Sequence, residues 1–196
     1  MEIALSGPNC ALLTGKLPGI DKYEDALKRL VLFERPEITV YGRRCRQARD
    51  VNFFSNDPIV KGYRYSNQLM PASPLTQELE EILAVVNSLF PMHNFNAILV
   101  NLYHTGEDSI GAHSDDERGL GGALGSHEVV SLSIGATRNF RIRNKASKKI
   151  ELNFPLDHGC LVHMSGDFQT QFTHEIPKQL RVLQPRMSLT FRHHNQ

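Results

Sequence analysis

The chain lacks most of the features that place a protein early. Its 196 residues contain no apolar run approaching the roughly 20 residues that cross a bilayer as a helix. Met1 to Pro8 lack the basic and apolar blocks of a secretory leader, so an intracellular protein with access to nucleus and cytoplasm, and no membrane partner, is expected. Cysteine is scarce. Cys10, Cys45 and Cys160 are odd in number and widely spaced, which excludes a disulfide framework, and no Cys-x-x-Cys suggests zinc or redox work. Net charge is only +1. Internal repeats, low-complexity tracts and linkers are missing too, so one domain over 1–196 is expected, as a monomer. The glycine-rich run from Arg118 to Gly125 lacks the strand-before, helix-after setting and the Lys-Ser/Thr ending of a phosphate loop.

What charge there is falls unevenly. Arg43, Arg44, Arg46, Arg49, Lys61 and Arg64 form one basic cluster, and Arg138, Arg141, Arg143, Lys145, Lys148 and Lys149 form another. Clustered basic residues suit a surface that grips phosphates, although a plain solvated face has the same composition. The first half, 1–93, carries the helical signals. Asp21-x-x-Glu24 resembles a capping box ahead of Tyr23, Leu27, Leu30 and Val31, and Ser73-Pro74 looks like a helix start ahead of Leu75, Leu79, Ile82, Leu83, Val86 and Phe90. From about Asn94 the texture turns to short β runs over 97–103, 128–134, 139–143, 149–154, 160–164 and 186–192. Short strands without intervening helices predict a closed sheet or two-sheet jelly roll, hence an α+β protein whose helices buttress a β-sandwich.

Alternation along those strands decides where polar groups point. Arg186, Ser188, Thr190 and Arg192 share one face of the last strand, and Asn101 pairs with Tyr103 two residues on. His113 and Asp115 are also two apart. These segments fit the walls of one polar cavity. His-x-Asp is a weak motif alone and needs a distant third donor. Of nine histidines, His158 sits in a turn-like Asp-His-Gly, His193 and His194 lie in a polar tail, and His127 follows the glycine run. His174, bracketed by Phe172, Thr173 and Ile176 ahead of Pro177, has the most rigid setting. Two imidazoles and one carboxylate are the donor set of non-haem ferrous oxygenases, and two arginines could hold a carboxylate co-substrate.

Together, Asn101-x-Tyr103, His113-x-Asp115-Asp116-Glu117, Ser131-x-Ser133-x-Gly135, Pro155-Leu156-x-His158-Gly159, His174 and Pro185-Arg186-x-Ser188-Leu189-Thr190-Phe191-Arg192 resemble the AlkB family. The likeness runs in order from about residue 10 to residue 192 and is nearest to the eukaryotic-type branch acting on DNA and RNA bases. It implies a double-stranded β-helix core over 94–196, with helices and a nucleotide-recognition lid ahead of it. It also implies Fe(II) held by His113, Asp115 and His174, with O2 and 2-oxoglutarate as co-substrates. Arg186 would meet the distal carboxylate of the keto acid with help from Tyr103, and Asn101, Ser188, Thr190 and Arg192 would line the rest. The implied activity is oxidative demethylation of N-alkylated bases such as 1-methyladenine and 3-methylcytosine, releasing formaldehyde, succinate and CO2.

For the lid, the resemblance matches Tyr41 to a residue probing the base stack, Arg49 to a matching arginine, and Tyr63 and Tyr65 to the segment that stacks on a flipped base. Glu117 could read the cationic base or its exocyclic amine. Ser188 stands where the family usually shows asparagine. Pro177 to Arg181 is less basic than the stretch gripping the opposite strand in duplex-acting relatives, and the loop 144–149 is short. These departures favour methylated single-stranded DNA or RNA over duplex DNA. Two alternatives stay open at this point: the same oxygenase chemistry on a protein or lipid, and a non-catalytic nucleic-acid binder.

Overall fold

The structure, a computed structural model, describes residues 1–40, 42–65, 68–116 and 128–195, with the backbone alone for Val40, Arg64, Tyr65 and Gln68. Strands β1 (Glu2–Gly7) and β2 (Cys10–Lys16) open the chain, followed by a 3-10 turn (Ile20–Tyr23) and the one-turn helix α1 (Glu24–Leu27). Hairpin β3 (Glu37–Val40) and β4 (Arg43–Arg46) precede β5 (Asp50–Phe54), and hairpin β6 (Gly62–Tyr65) and β7 (Gln68–Pro71) precedes helix α2 (Gln77–Leu89). The second half supplies β8 (Ala97–Tyr103), β9 (Ile110–His113), β10 (Val129–Gly135), β11 (Arg138–Asn144), β12 (Ile150–Leu156) and β13 (Cys160–Gly166). The turn α3 (Phe168–Gln171) and strands β14 (Phe172–Ile176) and β15 (Arg186–Arg192) close it.

Two antiparallel sheets face each other. The larger runs β1-β2-β13-β10-β15-β8-β5 and the smaller runs β12-β11-β14-β9. This is the two-sheet jelly roll that the strand texture predicted. The period-2 rule holds in both directions across the large sheet. Val130, Leu132, Ile134, Met187, Leu189 and Phe191 face outward, where they pack with Leu79, Ile82 and Val86 of α2. Val129, Val162 and Met164 face inward against Phe140, Ile142, Phe172 and Ile176 of the small sheet. Each fully buried aliphatic side chain in these layers contributes roughly 1.5–3 kcal/mol.

Three details differ from expectation. The large sheet draws β1, β2 and β5 from the half that was read as helices and lid. The first helix is one turn preceded by a 3-10 turn, and Gly19, left-handed at φ 73, stands at its start with no side-chain cap. The would-be capping carboxylates of Asp21 and Glu24 instead lie 3.2 Å from the His158 ring nitrogens, and Val31 is exposed. Helix α2 starts three residues late because Ser73 is committed to a bridge with Phe54, so Thr76 takes the cap, its side chain accepting from the Leu79 amide.

Candidate active site

The small sheet brings two histidines together by register. Strands β9 and β14 pair antiparallel with His113 directly opposite His174, and their ring centroids stand 4.3 Å apart. Asp115 follows β9 by two residues. Its amide donates to Gln169 Oε1 at 3.0 Å, while the Ser114 hydroxyl donates to the Phe172 carbonyl at 2.8 Å. The carboxylate thereby sits between the rings: Oδ1 is 3.7 Å from His113 Nε2 and Oδ2 is 3.6 Å from His174 Nε2. Those distances are too long for hydrogen bonds. They suit three donors around a cation whose bonds are each about 2.0–2.2 Å.

Protonation fits the same role. His113 Nδ1 lies 2.8 Å from the Gly111 carbonyl, and donation there leaves Nε2 with its lone pair toward the carboxylate. His174 is held well below the ordinary imidazole range, first by burial and then by the charges of His113, Arg192 and Lys145. Its Nδ1 is buried with no hydrogen-bond partner among the described residues. Two imidazoles and one carboxylate, with open space beyond them, fit Fe(II) with positions left for a keto acid and O2. The three donor groups lie within 4.8 Å of one another.

The large sheet faces them with its polar side. Arg186, Ser188, Thr190 and Arg192 of β15 and Asn101 and Tyr103 of β8 all line one cavity with His113, Asp115 and His174. Arg186 is 2% exposed. Its Nε donates to Ser133 Oγ at 2.8 Å, its guanidinium lies 5.4 Å over the Tyr103 ring, and its Nη1 has no hydrogen-bond partner among the described residues. Burial pushes its pKa down to about 10, so it is still a cation at neutral pH. A buried guanidinium with a spare donor is a receptor for a carboxylate. Ser188 Oγ is 3.0 Å from Ser131 Oγ, and the Asn101 side-chain oxygen accepts from Arg49 Nε at 2.7 Å. Arg192 also reaches the metal side of this cavity: its Nη2 donates to Asp115 Oδ1 at 2.8 Å, with both side chains only 3% exposed. It orients the candidate metal ligand.

Of the lid residues, Tyr63 is buried, stacked on Phe53 at 5.7 Å and lies under the Arg192 guanidinium at 5.1 Å. Arg49 and Tyr63 line both this cavity and a second, apolar one that adjoins it. Tyr41 and Glu117 lie outside the described residues, as does the Tyr65 side chain. Sequence reasoning assigned no role to Ser133, Ser131 or Gln169, the groups that hold Arg186, Ser188 and Asp115. Ser131 and Ser133 were visible as a Ser-x-Ser pair whose alternation points inward. Gln169 carried no signal. The second basic cluster also shrinks. Arg138 is 0% exposed and donates to the Thr105, Asp108 and Pro177 carbonyls, while Arg141 and Arg143 share Glu175.

Comparison with known proteins agrees with this geometry. The family model described as the 2OG-Fe(II) oxygenase superfamily matches residues 20–192. The chain is 37% identical to human "DNA oxidative demethylase ALKBH2" over 97% of its own length and 75% of that protein. Against the bovine protein of that name the identity is 32%, over 97% of this chain and 70% of the relative. It is 42% identical to mouse "Alpha-ketoglutarate-dependent dioxygenase alkB homolog 3", over 51% of this chain and 37% of that one. The solved structure of OsALKBH1 superimposes with a TM-score of 0.59 at 18% identity, covering 96% of this chain and all of that one, which supports the shared fold. The chain therefore belongs to the AlkB family of dioxygenases that use Fe(II), O2 and 2-oxoglutarate.

Proposed function

We propose that this protein oxidatively demethylates N-alkylated nucleic-acid bases of the 1-methyladenine and 3-methylcytosine type. The observation that carries the reading is the apolar cavity between β5 and the two hairpins, which adjoins the triad's cavity and shares Arg49, Tyr63, Leu99 and Asn101 with it, and is lined also by Ile38, Val51 and Met70. A partly apolar space beside a candidate oxidation site suits an extruded base. Arg43, Arg44 and Arg46 are exposed on β4, whose partner strand β3 lines that cavity through Glu37 and Ile38, and they offer a basic surface for phosphates. Four of the matched relatives carry the name DNA oxidative demethylase, which adds weight to a nucleic-acid substrate.

In this reading, His113, Asp115 and His174 hold the iron, and Arg186, Ser188, Thr190, Asn101 and Tyr103 hold the keto acid. When bound, iron and keto acid together supply O2 activation and hydroxylation of the N-methyl carbon. The protein's part is placement. Arg186 fixes one end of the keto acid, Arg192 keeps the Asp115 carboxylate turned toward the histidines, and the burial of His174 keeps water scarce around it. Tyr63 and Arg49 meet the base. Single-stranded DNA or RNA is the preferred substrate.

A substrate panel tests this. Methylated single-stranded DNA, duplex DNA and RNA are incubated aerobically with Fe(II) and 2-oxoglutarate at one salt concentration, reading formaldehyde and demethylated base. The expected order places single strands first, with no turnover by His174→Ala. Equal or better turnover of duplex DNA overturns the strand preference. Absence of demethylation on every strand, with succinate still released on a peptide, overturns the nucleic-acid reading.

A further inference from the structure

A second cluster of metal-type donors lies on the other face of the large sheet. Along β13, Val162 and Met164 point into the inter-sheet core, and Met164 lines the cavity with the triad. His163, between them, points the opposite way. There it meets the His93 ring at 5.3 Å and the Phe90 ring at 4.7 Å. Glu128, one residue ahead of β10, completes the group: its Oε2 is 2.7 Å from His163 Nε2, and its Oε1 accepts from the Gly166 amide at 2.8 Å. The donor atoms of His93, Glu128 and His163 lie within 4.8 Å of one another.

The Glu128–His163 pair alone does not account for this arrangement. His163 is 5% exposed, and its Nδ1 is buried with no hydrogen-bond partner among the described residues. His93 is half-buried beside Phe90 and Phe95, and burial holds its pKa below the ordinary imidazole range. A neutral imidazole offers a lone pair. Glu128 is held below the usual carboxylate range: its burial opposes that, and is outweighed by the hydrogen bonds from His163 and Gly166. Two imidazoles and an anionic carboxylate from three separate elements therefore converge against an aromatic wall.

We propose that His93, Glu128 and His163 form a second metal site, distinct from the triad, that binds Zn2+ with water as the fourth ligand. The donor set and count are those of tetrahedral zinc. Tetrahedral donors stand roughly 3.3 Å apart, so the 2.7 Å pair opens by about half an ångström as the ion enters. The cation takes the place of the proton on His163 Nε2, which moves to Nδ1 of the same ring, so the imidazole stays neutral and no net proton is lost. The bound ion ties the segment after α2 to the start of β10 and to β13, so its contribution is to stability. Nothing in this site requires the demethylase reading to hold.

Metal stoichiometry decides the matter. Protein stripped of metal is dialysed against Zn2+, washed on a chelating resin and analysed by plasma mass spectrometry. Wild type is expected to retain two ions per chain, and His163→Leu, His93→Ala and Glu128→Gln one each. A variant lacking the triad donors, His113→Ala with His174→Ala, is expected to retain one. Zinc addition to that triad variant should raise its melting temperature, and adding His93→Ala should abolish the rise. One ion per chain in wild type, or two in all three single variants, overturns the proposal. His93→Ala, on a half-buried segment, keeps the test decisive if His163→Leu fails to fold.

Discussion

Arg186→Lys separates recognition of the co-substrate from every other task of the cavity. The wild-type guanidinium is fully buried, spends Nε on Ser133 at 2.8 Å and keeps Nη1 without a hydrogen-bond partner among the described residues. Removing one member of a buried, hydrogen-bonded charge pair costs about 2–5 kcal/mol. Lysine keeps the charge but loses the planar fork and the Ser133 bond, so about 2–3.5 kcal/mol is expected, or a rise of roughly 30- to 300-fold in the KM for 2-oxoglutarate. Succinate release against 2-oxoglutarate concentration measures it, with the melting temperature as the fold control. A KM within about threefold of wild type, in a variant that melts normally, would refute the assignment. The pH profile adds an independent reading. Burial lowers the Arg186 pKa to about 10, so the free enzyme carries the cation through neutral pH and loses it as pH rises toward 10. The carboxylate of the keto acid pulls that pKa back up once bound. The alkaline fall therefore belongs in kcat/KM for 2-oxoglutarate and not in kcat.

Arg192→Met removes the 2.8 Å donor from Asp115 Oδ1, and losing such an orienting partner typically weakens metal affinity or activity by about 10- to 100-fold; Fe(II) titration under anaerobic conditions reads it, and an unchanged affinity would show that Asp115 is positioned by Gln169 alone. Arg138→Met strands three carbonyls that its guanidinium now satisfies, so a loss of about 3 kcal/mol or more in urea unfolding is expected. The salt dependence of DNA binding should stay the same for that variant and flatten for Lys148→Ala with Lys149→Ala, both exposed; the reverse outcome would place Arg138 at the surface. Cys45 is exposed while Cys10 is buried, and burial raises the Cys10 and Cys160 thiols above the ordinary range. Less thiolate is present at pH 8, so alkylation followed by peptide mapping should modify Cys45 first, with the other two catching up as pH rises.

The site was more legible than the frame around it, for a physical reason. A strand that lines a polar cavity must carry its polar residues at period 2. Arg186, Ser188, Thr190 and Arg192 do so against the apolar Met187, Leu189 and Phe191, and the structure puts the two sets on opposite faces. The pairing of His113 with His174 carried no such local signal. It depends on the register of β9 against β14, which only the assembled sheet sets. Strands β1 and β2 were also hidden, since Glu2–Gly7 and Cys10–Lys16 alternate weakly, even though the Gly7-Pro8-Asn9 turn, with Asn9 left-handed at φ 57, marks the hairpin between them. Arg138 shows the limit from the other side. In the sequence it is one member of a basic run, and its burial follows from carbonyls supplied by residues 105, 108 and 177, which no local pattern announces.

The division of labour between the sheets explains why the Asp115–Arg192 pair matters. In the proposed reading, the small sheet supplies both imidazoles, through β9 and β14, and the large sheet supplies the carboxylate receptor, through β15 with Ser133 of β10. A metal and a keto acid that must share coordination need these two sheets in fixed relation to within a fraction of an ångström. The hydrophobic layer of Val129, Phe140, Ile142, Met164 and Phe172 fixes their spacing, but apolar contacts are non-directional and tolerate sliding. Arg192 lies on β15 three turns of the side-chain alternation from Arg186, and it grips the acid beside β9 through a bond buried on both sides. That directional contact resists the sliding which packing alone permits, and so holds β15 against the segment that carries Asp115.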